Sequence, residues 1–158
     1  MYPGCYGYNP LYPSDSDFKV VKRDQTFGLG VITYRSFEPG ELVAALAGET
    51  VYEMTQHTLQ IESGVHLLDL HFCGYFLHSC EPNVHLDMRN LLVHAVRPIR
   101  ANEHLLMDYA QTEDVLFKQF PCQCGSVQCR GWITGRSEEP NLADPAFQEF
   151  MQLRKVVA

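Results

Sequence analysis

The chain has 158 residues and a formal net charge of −7. At this length a single domain buries roughly two-thirds of its unfolded surface, so folding does not require a disulfide framework. The acidic balance excludes the strongly basic surface of a nucleic-acid-binding protein and favours a basic partner, such as a lysine-rich peptide. We therefore expect no direct contact with nucleic acid.

The predicted elements are mostly strands. Residues 1–17 are rich in Tyr, Pro, Gly and Asp without a hydrophobic period, which predicts an N-terminal arm that is irregular or ordered only by packing. From residue 18 onward, short apolar segments alternate with Gly, Pro, Asn or Asp, which is typical of strands and turns. The predicted strands are Phe18–Val21, Gly30–Tyr34, Leu42–Leu46, Thr50–Tyr52, Val65–Phe72, Leu91–Val96 and His104–Met107.

Helical spacing occurs only near the C-terminal end of the chain. Asp144 and Pro145 supply an N-cap and a proline at the first helical position. The apolar stripe behind them consists of Phe147, Phe150, Met151 and Leu153. The predicted fold class is therefore mostly β (α+β), with one modest terminal helix.

Three cysteines lie close together in the segment Cys122-Gln-Cys124-Gly-Ser-Val-Gln-Cys129. Three thiolates at this spacing supply most of a tetrahedral zinc site. The fourth ligand must come from elsewhere, and Cys80 is the leading candidate. A metal bound in this way would tie the C-terminal segment to the body of the protein.

The N-terminal segment lacks the charged and apolar regions of a signal peptide, and no run of eighteen apolar residues follows. We expect an intracellular, soluble protein without membrane contact; the sequence does not separate cytoplasm from nucleus. Thiols stay reduced inside the cell, which favours metal binding over disulfides. Cys5 and Cys73 lie outside the set of four and are expected to be buried, small apolar residues.

Four motifs occur in a fixed order along the chain. They are Gly28-Leu29-Gly30, His78-Ser79-Cys80-Glu81-Pro82-Asn83, Asp108-Tyr109 and the cysteine-rich tail. In this order they resemble the SET-domain lysine methyltransferases with a post-SET zinc module, over about residues 19–133. For the glycine pair alone, a plain hairpin is the alternative interpretation.

The resemblance implies a particular fold and division of the chain. It implies a β-clip of small sheets with a knot-like core, a post-SET zinc segment and a C-terminal helix. The implied units are an N-terminal arm at 1–17, a SET domain at 18–115, a post-SET zinc-binding segment at 116–134, and a linker with the C-terminal helix at 135–158.

The resemblance also implies S-adenosylmethionine as the methyl donor and one structural zinc ion. In the family the Gly-x-Gly turn approaches the methionine part of the cofactor, and backbone groups near His78 receive the adenine. The implied cofactor-binding residues are Gly28, Leu29, Gly30, Leu77, His78, Tyr109 and Trp132. The implied zinc ligands are Cys80, Cys122, Cys124 and Cys129. A core tryptophan is the alternative interpretation of Trp132.

Tyr109 is the expected catalytic residue, because the resemblance puts its hydroxyl beside the sulfonium methyl at the end of a lysine channel. Methyl transfer needs a neutral amine, which costs on the order of 4 to 5 kcal/mol at neutral pH for a lysine of pKa near 10.4. A dry aromatic channel and the positive sulfonium both lower that pKa. Most of the rate is then expected from positioning. A core or interface tyrosine is the alternative.

The sequence departs from the family pattern at several positions. Gly74 and Leu77 stand where the family has Arg and Asn, which removes a polar cofactor contact. Leu46 occupies a usual Tyr position and Met107 a usual Phe or Tyr position, which makes the expected channel more apolar. The segment 49–74 corresponds to the substrate-binding insert of the family and is short.

The first functional hypothesis is methyl transfer to the lysine ε-amine of a protein or peptide, which is possibly basic. The short insert leaves open a small-molecule or N-terminal amine as the acceptor. The departures from the family pattern leave open a catalytically silent SET-fold module that is used for binding.

Overall fold

The computed structural model describes residues 1–24 and 28–157, and the strands of this part form five small sheets. The strands are β1 Phe18–Asp24, β2 Gly28–Thr33, β3 Leu42–Ala45, β4 Glu49–Val51, β5 Thr58–Glu62, β6 Val65–Leu68, β7 Leu77–His78, β8 Val84–Asp87, β9 Leu92–Ala95, β10 Leu106–Met107, β11 Phe120–Pro121 and β12 Trp132–Ile133. The helices are α1 Tyr109–Thr112 and α2 Pro145–Val157, with 3₁₀ turns at Gly4–Tyr6 and Cys73–Tyr75.

Four of the five sheets are antiparallel. β1 pairs with β2 and β11 with β12, while the two three-stranded sheets have the orders β3-β9-β8 and β4-β6-β5. Strand β8 illustrates the local cause, because Val84 and Leu86 are buried whereas His85 between them is exposed. This period of two gives the sheet one apolar face and one polar face.

The fifth sheet is the parallel pair β7 and β10, which joins two segments that are distant in sequence. Leu77 lies opposite Leu106, and His78 lies opposite Met107. Asn83 is almost fully buried and holds the two segments together: its side-chain amide donates to the His104 carbonyl at 2.7 Å, and its Oδ1 accepts from the Leu106 N–H at 2.7 Å. The crossing sets His78 beside the start of α1.

The hydrophobic core lies between these sheets. Phe72 is fully buried and makes edge-to-face contacts with Phe18 and Phe76, at ring-centroid distances of 5.0 and 4.9 Å. The N-terminal arm packs against this core through Met1 and Tyr2. The Tyr2 hydroxyl donates to the buried carboxylate of Asp69 at 2.7 Å, so packing orders this segment.

Helix α2 begins where the sequence predicts. The Ala146 N–H donates to Asp144 Oδ1 at 2.8 Å, which is an N-cap followed by proline at the first helical position. Only part of the predicted stripe is covered, because Phe147 and Phe150 pack against Trp132 while Met151 and Leu153 remain exposed.

The sequence-based expectations need correction in several places. Cys5 is exposed and not buried, whereas Cys73 is buried as expected. The predicted strand Val65–Phe72 ends at Leu68, because Asp69 then turns the chain by accepting from the backbone N–H groups of the next residues. The elements that the sequence did not predict are β5, β7, β8, β11, β12 and α1.

In the described residues, no helix has the length and apolar character needed to cross a membrane.

Candidate active site and metal centre

A cleft of about 810 Å³ is the candidate site of the protein. One wall comes from the first residues of β2, another from β7 and the preceding 3₁₀ turn, and a third from the segment before the cysteine-rich tail. The predicted cofactor residues that line it are Gly28, Leu29, Leu77, His78 and Tyr109. Residues far apart in sequence therefore meet around one cavity.

Two predicted cofactor residues do not line the cleft. Gly30 lies inside β2, and a Cβ atom there would come within 2.7 Å of Leu77 Cδ1, so glycine allows the strand to pack on Leu77. Trp132 lies beneath α2, where its ring packs on Phe147 at 5.0 Å and its Nε1–H donates to the Gln119 side chain at 3.0 Å. Both residues support the walls of the site from behind.

Tyr109 is the first residue of α1. The side chain of Asp108 caps this helix by accepting from the Ala110 N–H at 3.2 Å. The Tyr109 hydroxyl donates to the Phe76 carbonyl at 2.9 Å. Burial raises the pKa of the phenol to about 12, so the group is a neutral phenol at physiological pH.

His78 forms the back of the cleft between two aromatic rings. Its ring lies 5.2 Å from that of Tyr109 and 5.7 Å from that of Phe120. The Tyr109 N–H donates to Nδ1 at 3.4 Å, which leaves the proton of the neutral ring on Nε2, 3.5 Å from Cys80 Sγ. Burial lowers the pKa of His78 to about 4, although the neighbouring Asp108 opposes the shift.

The four predicted metal ligands converge on one point. The sulfur atoms of Cys80, Cys122, Cys124 and Cys129 all lie within 4.8 Å of one another. The Sγ atoms of Cys80 and Cys122 are 3.9 Å apart. Thiolates about 2.3 Å from a zinc ion at tetrahedral corners lie about 3.8 Å apart, so the set fits zinc. Four sulfur ligands leave no open position for a substrate, which is typical of a structural site.

Sequence reasoning missed other groups in the cleft. Phe120 packs against both His78 and Tyr109, and its position two residues before Cys122 was the available signal. Glu113 is buried in the cleft wall and accepts from the Gln60 N–H at 2.9 Å, and burial raises the pKa of its carboxyl. No local pattern separates Glu113 from the solvated acidic residues of the chain.

The departures from the family pattern have different locations. Met107 and Leu77 line the cleft, so an apolar thioether and an apolar branched side chain face its interior. Leu46 is buried in the hydrophobic core and is not one of the lining residues. The segment 49–74 forms the sheet of β4, β6 and β5 and supplies residues 54–59 to the cleft wall.

Comparison with known proteins finds a matching family profile and, separately, solved structures with a shared fold. The SET domain profile matches residues 28–110. The histone-lysine N-methyltransferase trithorax of Drosophila virilis is 26% identical over an alignment of 156 residues. The alignment covers 83% of this chain and 4% of that protein. The chain thus corresponds to a small part of this relative.

Two solved structures share the fold. KRYPTONITE in complex with mCHG DNA and SAH has a TM-score of 0.60 at 22% identity, covering 75% of this chain and 29% of that one. The methyltransferase domain of the human histone-lysine N-methyltransferase SETMAR has a TM-score of 0.57 at 20% identity, covering 75% of this chain and 58% of that one.

Proposed function

The chain belongs to the SET domain family, and from that premise we propose that it transfers a methyl group from S-adenosylmethionine to the ε-amine of a lysine in a protein or peptide. The observation that carries the proposal is the meeting of Gly28, His78 and Tyr109 around one cleft. The domain limits proposed from the sequence are kept, with the SET domain at 18–115 and the post-SET segment at 116–134.

The cofactor site is proposed at the end of the cleft that is formed by Gly28, Leu29, Leu77 and His78. When bound there, S-adenosylmethionine supplies the electrophilic methyl group. The backbone at the start of β2 and that of β7 offer polar groups, while Leu77 contributes an apolar surface. The SAH bound in the KRYPTONITE structure supports a cofactor of this class. Gly30 and Trp132 are proposed to support this site by packing behind the walls of the cleft.

Tyr109 is proposed as the catalytic residue. Its O–H is engaged by the Phe76 carbonyl, so the phenol oxygen keeps lone pairs that accept hydrogen bonds from an amine or a polarised methyl group. The neutral lysine amine would accept the methyl group as the carbon–sulfur bond of the donor breaks, and would then release a proton to water. The aromatic rings of Tyr109 and Phe120 and the thioether of Met107 exclude water and favour the neutral amine.

The metal centre is proposed to be structural. Cys80 would join the tail cysteines around one zinc ion and hold Phe120, Pro121 and Cys122 in the cleft wall. A basic peptide is the proposed partner, because the chain carries a net charge of −7. The name of the trithorax relative, a histone-lysine N-methyltransferase, supports a protein substrate.

The test is transfer of a radiolabelled methyl group to lysine-containing peptides by the zinc-loaded protein. We expect Tyr109→Phe to lower kcat by about two orders of magnitude or more, because positioning at the reacting atoms is lost. Tyr8→Phe, which changes a tyrosine of the N-terminal arm that is 92% exposed, is the matched control and should keep full activity.

Two results would contradict the proposal. An active Tyr109→Phe protein would remove the mechanism, and the absence of S-adenosylmethionine binding in calorimetry, with zinc present, would favour a binding module instead. Methylation of free amines, but of no peptide, would move the acceptor from protein lysine to a small molecule.

A further inference from the structure

Arg130 makes two contacts that point in different directions. Its backbone N–H donates to Cys80 Sγ at 3.4 Å, and its guanidinium donates to Asp108 Oδ1. We propose that Arg130 is a positioning residue that couples the four-cysteine cluster to Tyr109. The inference rests on the proposed function, since it assumes that the orientation of Tyr109 matters for methyl transfer.

The first link runs from the metal centre to Arg130. This residue directly follows Cys129, one of the four cysteines that converge. Metal binding therefore fixes the backbone of Arg130 through the preceding residue and through the Cys80 sulfur. An ordered backbone limits the positions that the guanidinium can reach, although its side chain is 41% exposed.

The second link runs from Arg130 to the start of α1. Asp108 Oδ1 accepts from the Ala110 N–H and from Arg130 Nη2, and the Asp108 side chain is only 13% exposed. A helix of four residues has almost no stability of its own, so its cap determines how it is held. Hydrogen bonds between charged groups are roughly twice as strong as neutral ones. The bond between Arg130 and Asp108 is therefore expected to determine how the start of α1 is held.

Within α1, the Tyr109 carbonyl accepts from the Glu113 N–H at 2.9 Å, which holds the turn together but does not orient it. Two other contacts restrain Tyr109 from outside the helix. Its N–H reaches His78 Nδ1 only at 3.4 Å, and its hydroxyl bond to Phe76 holds the far end of the side chain. Asp108 Oδ1 also lies 3.8 Å from Nδ1 of His78, but this ring is neutral and does not replace the charge of Arg130. Loss of the guanidinium thus leaves a mostly buried carboxylate with weaker partners and a less restrained helix.

The coupling has a consequence for the metal-free chain. Without zinc, Arg130 loses its fixed position, and the orientation of Tyr109 loosens with it. A misplacement of about 1 Å at a reacting centre can cost about a hundredfold in rate. The cysteine cluster would then act on catalysis without touching the substrate.

The experiment compares zinc-loaded Arg130→Met with the wild type. Methionine keeps much of the alkyl stem and removes the charge. We expect unchanged zinc content, a peptide KM within about twofold, kcat lower by about tenfold, and amide exchange at residues 110–113 faster by about tenfold. Arg130→Lys, which keeps the positive charge, should recover part of both losses.

The matched control is Arg35→Met. Arg35 pairs with Asp17 at 3.8 Å, and neither residue lines the cleft, so zinc content, kcat and exchange at residues 110–113 should stay at wild-type values. Equal behaviour of the two Met variants would overturn the proposal. Loss of zinc from Arg130→Met would also overturn it, because the residue would then serve metal retention.

The exchange measurement separates this inference from the proposed function. If the wild type transfers no methyl group to any acceptor, the proposed function fails. Faster exchange at residues 110–113 in zinc-loaded Arg130→Met would then still support the coupling, and unchanged exchange would still refute it.

Discussion

Burial sets the protonation state of Tyr109, and its hydrogen bond sets the direction of its hydroxyl. The phenol lies in a pocket of aromatic rings, donates to the Phe76 carbonyl and has a pKa raised to about 12. The nearby carboxylate of Glu113 raises that pKa further. A neutral phenol aligns an amine but does not remove its proton, so the proposed reaction relies on positioning.

Alkaline titration of tyrosine absorbance tests this state. In the folded protein, wild type and Tyr109→Phe should give the same absorbance at pH 10 and should differ only as the pH approaches 12. In strong denaturant the difference should appear near the ordinary tyrosine pKa of about 10. Because the folded pKa is the higher one, the unfolded chain releases this proton first, and the stability from this residue falls as pH rises from 10 to 12. A folded-state difference near pH 10 would contradict the assignment.

At the scale of elements, the segment from Asp69 to Phe76 connects the N-terminal arm to the cleft. Asp69 is fully buried, and its carboxylate accepts from three consecutive backbone N–H groups, those of His71, Phe72 and Cys73. The 3₁₀ turn that follows presents the Phe76 carbonyl to Tyr109. Gly74 allows this turn, because a Cβ there would lie 2.0 Å from the Asp69 carbonyl oxygen.

Asp69→Asn is therefore expected to destabilise the fold by about 3 kcal/mol, because an amide nitrogen would face a backbone N–H that the carboxylate now accepts. The measurement is urea unfolding of the zinc-loaded protein. Asp15→Asn is the control, since the side chain of Asp15 is 87% exposed and its ion pair with the chain terminus contributes about 0.5 kcal/mol or less. Similar losses for the two variants would show that the Asp69 network is not needed.

At the scale of the whole molecule, the cysteine cluster closes the chain on itself. Cys80 lies 42 residues before Cys122, and the metal would join the crossing of β7 and β10 to the tail. The segment before the tail forms one wall of the cleft. A ligand that binds only the folded protein stabilises it by mass action, so zinc should stabilise both the tail and the cleft.

Removal of zinc with a chelator should therefore lower the unfolding temperature and speed amide exchange in residues 122–133, with weaker S-adenosylmethionine binding. Cys80→Ser should give the same result, because three cysteines remain for a four-coordinate ion. Cys5→Ser changes an exposed cysteine outside the cluster and should bind zinc like the wild type. Metal analysis of the purified variants measures the difference, and full zinc content in Cys80→Ser would contradict the ligand set.

Local chemistry made much of the molecule predictable from sequence. Brief apolar segments bounded by turn residues predicted β1, β2, β3, β4, β6, β9 and β10, and the Asp-Pro pair predicted the start of α2. The close spacing of three cysteines predicted a metal site, and Cys80 does meet them. These features depend on neighbouring residues and on the chemistry of single side chains, so a sequence pattern carries them.

Short and long-range features were not predictable in the same way. Strand β7 has two residues, too few for a sequence signal, and its pairing with β10 depends on Asn83 and on the packing around it. The exposure of Cys5 and the burial of Trp132 under α2 are likewise results of packing.

The amino-acid sequence is sufficient to identify the reactive groups of the protein: four thiolates, a histidine and a phenol, in a family-specific order with a glycine pair. Which of these groups meet depends on the fold, which brings Gly28 but not Gly30 to the cleft and joins Arg130 to Asp108. These contacts form between segments tens of residues apart. Their free energy comes from burial and loop closure across the whole chain, and no local pattern records it.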